Sequence, residues 1–323
     1  MNGPNIIQDN RTIAAAIPAG ASAPSPGVLA EGVAAQRPLW KDYLELTKPE
    51  ISFLVAISAV AGFVLGASEQ VSWWVLLWTV IGVTSAAAGG CALNHYLERE
   101  LDKRMKRTAS RPIPAGRISA RHAAWFGIFL VAAGVCILCP LVNPLTGLMA
   151  AGTVALYLFV YTPLKRVSTL NTLVGTIPGA LPALGGFTAA TGTFGAAGWA
   201  IFAVLICWQI PHFYALAWMY RADYARGGHR MLSVTAPDGK ALVRYVIVFS
   251  ILMVAASIVP YTVGASGLLY LIGAVALGVW FAWPVAVFTR SLTNADARQL
   301  LKATVFYIPM LVLLIVVDHL LGL

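Results

Sequence analysis

The stretch WWVLLWTVIGVTSAAAGGCALNHYLERELDKRMKRTASRPIPAGR (residues 73–117) joins an apolar run to a segment dense in charge of both signs. A hydrocarbon core of roughly 30 Å takes about 20 helical residues, and residues 73–94 reach that length without a charged side chain. Eight further runs meet or approach it, near 51–67, 122–140, 145–161, 171–190, 198–219, 242–261, 266–288 and 303–321. The reading is an all-α polytopic membrane protein with nine transmembrane helices. Composition agrees, because 59% hydrophobic and 11% charged residues with a mean hydropathy of +0.77 suit a bilayer better than a water-exposed surface.

Cations orient the stack. Positively charged short loops stay in the cytoplasm, and the 22 lysines and arginines fall in alternate gaps between the runs, with Arg244 at the adjoining end of the run near 242–261. They occupy the N-terminal segment, then Arg99 to Arg121, Lys165 and Arg166, Arg221 to Arg244, and Arg290 to Lys302. Eight or ten spans would break this segregation, so the charge pattern supports nine. The cell (inner) membrane is the expected location, with the N-terminus cytoplasmic. Residues 1–37, rich in Ala, Pro, Gly and Ser, predict a disordered cytoplasmic tail, and 38–323 the membrane domain. The net charge of +9 reflects orientation and anionic headgroups, and nucleic acid is not an expected partner for a chain without a soluble domain. Cys91, Cys136, Cys139 and Cys207 all lie inside runs; with no second pair or nearby His to complete a metal signature, they read as buried small hydrophobes.

Asn94, Glu98 and Asp102 are four residues apart and so share one helix face, each about 6 Å above the last. Two carboxylates on one face suit Mg²⁺, which takes hard oxygen ligands and bridges carboxylates to phosphate. A solvated helix end with Glu98 paired to Lys103 or Arg99 is the plain alternative. A second constellation weighs against it. WQIPHFYALAWMYRADYARGGHRML (residues 208–232) brings Asp223 out of the sixth run among Arg221, Arg226 and Arg230, and YTPLKR (residues 161–166) adds Lys165 and Arg166 on the same side. Three loops thus offer acids for metal and bases for phosphate at one depth.

On these residues the chain resembles the intramembrane prenyltransferases, the family of 4-hydroxybenzoate polyprenyltransferase, from about Leu46 to the C-terminus. It looks most like the branch that farnesylates haem, whose first motif is N-x-x-x-D-R-D-I-D followed by M-x-R-T-x-x-R-P. Asn94, Arg99, Asp102, Met105, Arg107, Thr108, Arg111 and Pro112 match it, with Glu98, Glu100 and Leu101 in place of Asp, Asp and Ile. Leu46-Thr47-Lys48-Pro49, Tyr161-Thr162, Asn171, Trp208 with Pro211-His212-Phe213, Asp223-Tyr224 and Met231-Leu232 also match. Ala222 stands where an extra acid is common, and Ser233 where Pro usually follows Met-Leu.

The resemblance implies nine helices around a central cavity, farnesyl diphosphate and haem b as substrates, and Mg²⁺ as cofactor. It implies Glu98, Asp102 and Asp223 as metal ligands, with Asn94 beside them in the catalytic set. Lys48, Arg107, Arg111, Lys165 and Arg166 would bind phosphate or propionate, and His212 would face haem. Haem A synthase or oxidase assembly factors are the implied protein partners. His95 reads more as a hydrogen-bonded structural residue, and His122, His229 and His319 as surface or interfacial. Gly175, Pro178, Gly179, Pro182, Gly185 and Gly186 predict either a broken helix lining the cavity or close helix packing. Trp73, Trp74, Trp199, Trp280 and Trp283 read as interfacial belts. Two other readings stand beside this one: a quinone-pathway aromatic prenyltransferase, and a cation-coupled transporter, whose acids would sit near mid-membrane.

Overall fold

The computed structural model describes residues 38–67 and 72–321, among which no strand occurs. The tail expected for residues 1–37 lies outside the described residues. A short helix α1 (Leu39–Leu46) precedes α2 (Pro49–Gly66), α3 (Trp73–Asp102), α4 (Ala120–Leu141) and α5 (Pro144–Ala155). α5 runs through a π turn (Leu156–Tyr161) into α6 (Thr162–Val167). α7 (Asn171–Thr191) and α8 (Ala196–Met219) follow, then two short helices, α9 (Arg221–Arg226) and α10 (Leu232–Thr235). α11 (Lys240–Thr262), α12 (Leu268–Ser291) and α13 (Asn294–Leu321) complete the chain. With α5 to α6 counted as one, nine helices among the described residues are long and apolar enough to cross a membrane.

Most spans are apolar all round, so polarity alone does not choose the inward face, and both small residues and the large Tyr214, Tyr270, Phe281 and Phe288 are buried. Phe129, Phe159, Val279 and Trp283 point out, while Ala59, Ala61, Ala180 and Ala183 are fully buried. Without a hydrophobic drive between helices in lipid, close backbone approach supplies the packing energy, and small residues permit it. A Cβ on Gly62 would run into the Ala183 carbonyl, and one on Gly186 into the Ala59 carbonyl, so α2 and α7 meet backbone to backbone. α3 and α4 do the same through Gly89 and Gly127. Polar pins add direction: Trp208 Nε1 donates to the Thr304 carbonyl at 2.7 Å and Trp218 Nε1 to the Leu292 carbonyl at 2.7 Å.

Several boundaries differ from the sequence expectation. α3 runs past the apolar stretch to Asp102, as the shared helix face of Asn94, Glu98 and Asp102 requires, and these three side chains find buried partners. α13 begins at Asn294 instead of 303, with the Asp296 amide capped by the Thr293 hydroxyl at 3.1 Å. Pro163 has no N–H to donate, and just before it the backbone widens into the π turn. α7 is one continuous helix with Pro178 and Pro182 inside it, so the broken helix does not occur. Of the four cysteines expected to be buried, Cys91 is, Cys139 and Cys207 are half-buried, and Cys136 is exposed on α4. Trp280 lies midway along α12 against Phe306, ring centroids 5.3 Å apart, too deep for an interfacial belt.

Two adjacent glycines give a sharp test of this packing. A Cβ at Gly185 meets nothing within 4 Å, whereas at Gly186 it meets α2 backbone. Gly185→Ala should leave the detergent melting temperature unchanged, and Gly186→Ala should lower it by the equivalent of about 1–3 kcal/mol of overpacking.

Candidate active site

Three residues of α3 form the floor of the site. Asn94, Glu98 and Asp102 are 1%, 5% and 0% exposed, so each must find a partner inside the protein. Each meets one cation, and each cation comes from a different part of the chain. Lys48 Nζ donates to Asn94 Oδ1 at 3.1 Å, from the turn before α2. Lys165 Nζ, from α6, spans both oxygens of Glu98 at 2.8 and 3.1 Å. Arg111 Nη1, from the loop after α3, donates to Asp102 Oδ2 at 2.7 Å.

Local structure aims each cation. Lys48 sits at φ 46°, in the left-handed region that a non-glycine residue occupies only when its surroundings require it. Burial pushes its ammonium down to about 8. Asn94 is oriented by its second bond, Nδ2 donating to Thr162 Oγ1 at 3.2 Å, and Thr162 in turn donates to the Tyr157 carbonyl at 2.8 Å within the π turn. Lys165 lies over the Tyr161 ring, 4.7 Å from its centroid. Thr108 ties the loop back to the helix by donating to the Asp102 carbonyl at 2.9 Å.

These residues open onto a cavity of about 690 Å³. Glu98, Asp102, Arg107, Arg111, Lys48 and Lys165 line one end, and Leu54, Val55, Ala87, Val154 and Pro182 the apolar remainder. Trp208, His212 and Phe213 also face it. Gly179 leaves room for Gln209, whose Nε2 donates to the Thr176 carbonyl at 3.0 Å. Gly175, Pro178, Gly179 and Pro182 therefore line the cavity from an unbroken helix, while Gly186 packs on α2 farther along the same face.

A cover crosses the charged end. Asn171 Nδ2 donates to the Arg230 carbonyl at 3.0 Å, and the Arg230 amide donates to the Lys165 carbonyl at 2.8 Å, which holds the connection after α9 over the corner of α6 and α7. Tyr224, His229 and Met231 reach the cavity from this cover. His229 was expected at the surface and is instead 4% exposed, with burial and the Lys165 ammonium holding its imidazole below the usual range. The signal that could have found it is the Gly227-Gly228 pair directly before it, a chain reversal with Gly228 at φ 70°.

The sequence-predicted residues divide. Asn94, Glu98, Asp102, Lys48, Arg107, Arg111, Lys165 and His212 share the cavity. Asp223 is buried and paired with Arg226, one residue from the cavity-lining Tyr224, and Arg166 is exposed outside the cavity. Among the described residues no three His, Cys, Asp or Glu side chains gather closely enough to hold a metal, so Asp223 does not join Glu98 and Asp102 in one cluster. Even so, Asp102 fits a hard cation: its Oδ2 is taken by Arg111, while Oδ1 is buried without a hydrogen-bond partner. His95 is likewise not the hydrogen-bonded residue expected, since it is 1% exposed on the cavity wall and neither ring nitrogen has a partner.

Comparison with known proteins follows this geometry. A protohaem IX farnesyltransferase of Salinibacter ruber is 54% identical over 280 residues, covering 87% of this chain and 99% of that protein. One of Solibacter usitatus is 42% identical over 288 residues, covering 86% and 99%. Among solved structures, a digeranylgeranylglyceryl phosphate synthase superposes with a TM-score of 0.72 at 18% identity, covering 87% of this chain and 98% of that one. A UbiA homologue from Archaeoglobus fulgidus bound to GPP and Mg²⁺ gives 0.60 at 17% identity, covering 85% and 99%. The model of the UbiA prenyltransferase family matches residues 55–310, and the chain belongs to that family.

Proposed function

We infer that this chain transfers the farnesyl group of farnesyl diphosphate to a vinyl group of haem b, giving haem O and diphosphate for haem–copper oxidase assembly. The observation that carries this reading is a single cavity with cations and carboxylates at one end and the Trp208-His212-Phe213 aromatic wall on its apolar part. The similarity to protohaem IX farnesyltransferases over nearly their full length supports it. Residues 38–323 are proposed as the prenyltransferase domain.

The charge balance sets the roles. A diphosphate brought within 4 Å of Glu98 or Asp102 meets a repulsion of about 4 kcal/mol per charge pair at an effective dielectric near 20. Glu98 and Asp102 would hold Mg²⁺, which would supply positive charge against the diphosphate; Asp223, paired with Arg226, stands outside their cluster in this structure. Lys48, Lys165, Arg107 and Arg111 then neutralise the remainder and stabilise diphosphate as the C1–O bond breaks. Asn94 orients Lys48 toward it. The apolar walls hold the isoprenoid and keep bulk water from the allylic cation. The haem vinyl carbon bonds to C1, water adds to the cation left on the vinyl group, and one proton leaves. The products are haem O and diphosphate.

Purified protein incubated with haem b, farnesyl diphosphate and Mg²⁺ should yield a haem heavier by one farnesyl and one hydroxyl group, and no product after chelation of the metal. Prenylation of 4-hydroxybenzoate but not haem would move the reading to the quinone branch. Glu98→Gln and Asp102→Asn should each lower turnover by a factor of about 100 or more, the scale of removing one preorganised charge. Glu98→Asp should stay active, because it keeps the charge and restores the residue common in the family. Equal inactivity of Glu98→Asp and Glu98→Gln would remove Glu98 from the metal site.

Lys48 predicts a pH dependence. Its free ammonium loses a proton near pH 8, and a bound anion favours the protonated form, so binding takes up a proton above that pH. Farnesyl diphosphate affinity should therefore weaken above pH 8 by up to about tenfold per pH unit, and Lys48→Arg should flatten the profile. A flat profile in the natural chain would take Lys48 out of the diphosphate site.

The cation-bearing ends are proposed to face the cytoplasm. A single Cys at exposed Ser110, in a chain with its four natural cysteines replaced, should resist an impermeant maleimide added to intact cells and react once they are opened.

A further inference from the structure

Thr304 of α13 is fully buried outside the charged end of the cavity, yet both its polar atoms reach the aromatic wall. Its carbonyl accepts from Trp208 Nε1 at 2.7 Å, and its hydroxyl oxygen lies 2.8 Å from His212 Nδ1. That hydroxyl donates its own proton to the Leu301 carbonyl at 2.6 Å, so it has only a lone pair to offer the imidazole. The 2.8 Å contact is then Nδ1–H donating to Thr304, and Nε2 carries the free lone pair. Trp208 stacks on the imidazole at 5.0 Å and 29°, and Phe213 meets its edge at 5.5 Å, which fixes the ring plane.

We propose that Thr304 is a positioning residue that sets the tautomer of His212, so that Nε2 ligates the iron of the porphyrin substrate. The inference rests on the haem reading above and deepens it. A haem offers two kinds of polar partner: propionate oxygens, which need a donor, and iron, which needs a lone pair. His212 with its proton on Nδ1 presents the second. Leu301, Thr304 and His212 thus form a chain of hydrogen bonds that begins in helix backbone and ends at the cavity, and its direction follows from the Leu301 carbonyl being unable to donate.

The test uses the full chain, with haem b and metal-free protoporphyrin IX as probes. Haem in the natural protein should show the absorption and electron paramagnetic resonance signature of imidazole ligation, lost in His212→Ala. Thr304→Val, which keeps shape and removes the hydroxyl, should perturb that signature and weaken haem binding by about 10–100-fold, the usual scale for losing a ligand's hydrogen-bond partner. Thr304→Ser should restore both. Protoporphyrin IX and farnesyl diphosphate should bind the natural protein, Thr304→Val and Thr304→Ser alike, which also shows that the Thr304 variants fold. A natural haem spectrum without nitrogen ligation, or a Thr304→Val protein that matches the natural one, would overturn the proposal. So would a parallel loss of protoporphyrin IX binding in Thr304→Val, the mark of a packing role only. Haem transfer with an unaltered Thr304→Val spectrum sinks this inference alone, whereas a chain that binds no haem but prenylates another acceptor sinks the functional reading and this inference with it.

Discussion

Two carboxylates buried on one helix face constrain much of the rest of this molecule. Glu98 and Asp102 could not stay charged among apolar spans without partners, because removing one member of a buried ion pair costs about 3–5 kcal/mol. The partners Lys165 and Arg111 arrive from α6 and from the loop after α3, and Lys48 reaches Asn94 from the turn before α2. Three separate segments are thereby brought to one end of α3. A pairing of this kind gives little net stability compared with apolar packing. Its value lies in holding several charges, preorganised and largely dry, where a polyanion can replace protein partners with its own oxygens.

Much of this was legible in the sequence, and the limits have a physical cause. Helical spacing put Asn94, Glu98 and Asp102 on one face, and the segregation of cations put their partners on the same side. Those signals are local or compositional. Which cation meets which rung depends on contacts 46 and 67 residues apart in sequence, and periodicity carries no information about them. The same limit hid His229, whose burial comes from a cover tied to Asn171, 59 residues away from Arg230. Asp223 shows the opposite failure. It lies one residue from the cavity-lining Tyr224, but its carboxylate turns to Arg226 three residues on, a pairing that helix geometry makes easy and that motif matching overlooks.

Glycine and proline act together to keep a cavity in a packed bundle. Gly62 and Gly186 draw α2 and α7 into backbone contact near one end of α7, while Gly175, Pro178, Gly179 and Pro182, lower on the same helical face, border open space. Gln209 enters the space left by Gly179 and donates to the Thr176 carbonyl, which places a polar side chain against α7 between its two prolines. Space and polarity are thus created by the same residues.

The position of the acids also separates the functional classes. A cation-coupled transporter places its acids near mid-membrane at the junction of two repeats, whereas Glu98 and Asp102 stand in the last turns of α3. Phosphate-sized groups of cations there, opening into an apolar chamber, suit a substrate that is anionic at one end and isoprenoid at the other. What such a cavity does not decide by charge is the acceptor. 4-Hydroxybenzoate would need a partner for a carboxylate and a phenol, and a neutral imidazole whose only free nitrogen bears a lone pair serves the first poorly. A flat metalloporphyrin has a use for it. The Leu301-Thr304-His212 chain therefore weighs on the choice of acceptor, while the ladder on α3 weighs on the choice of donor, and the two lie on different helices.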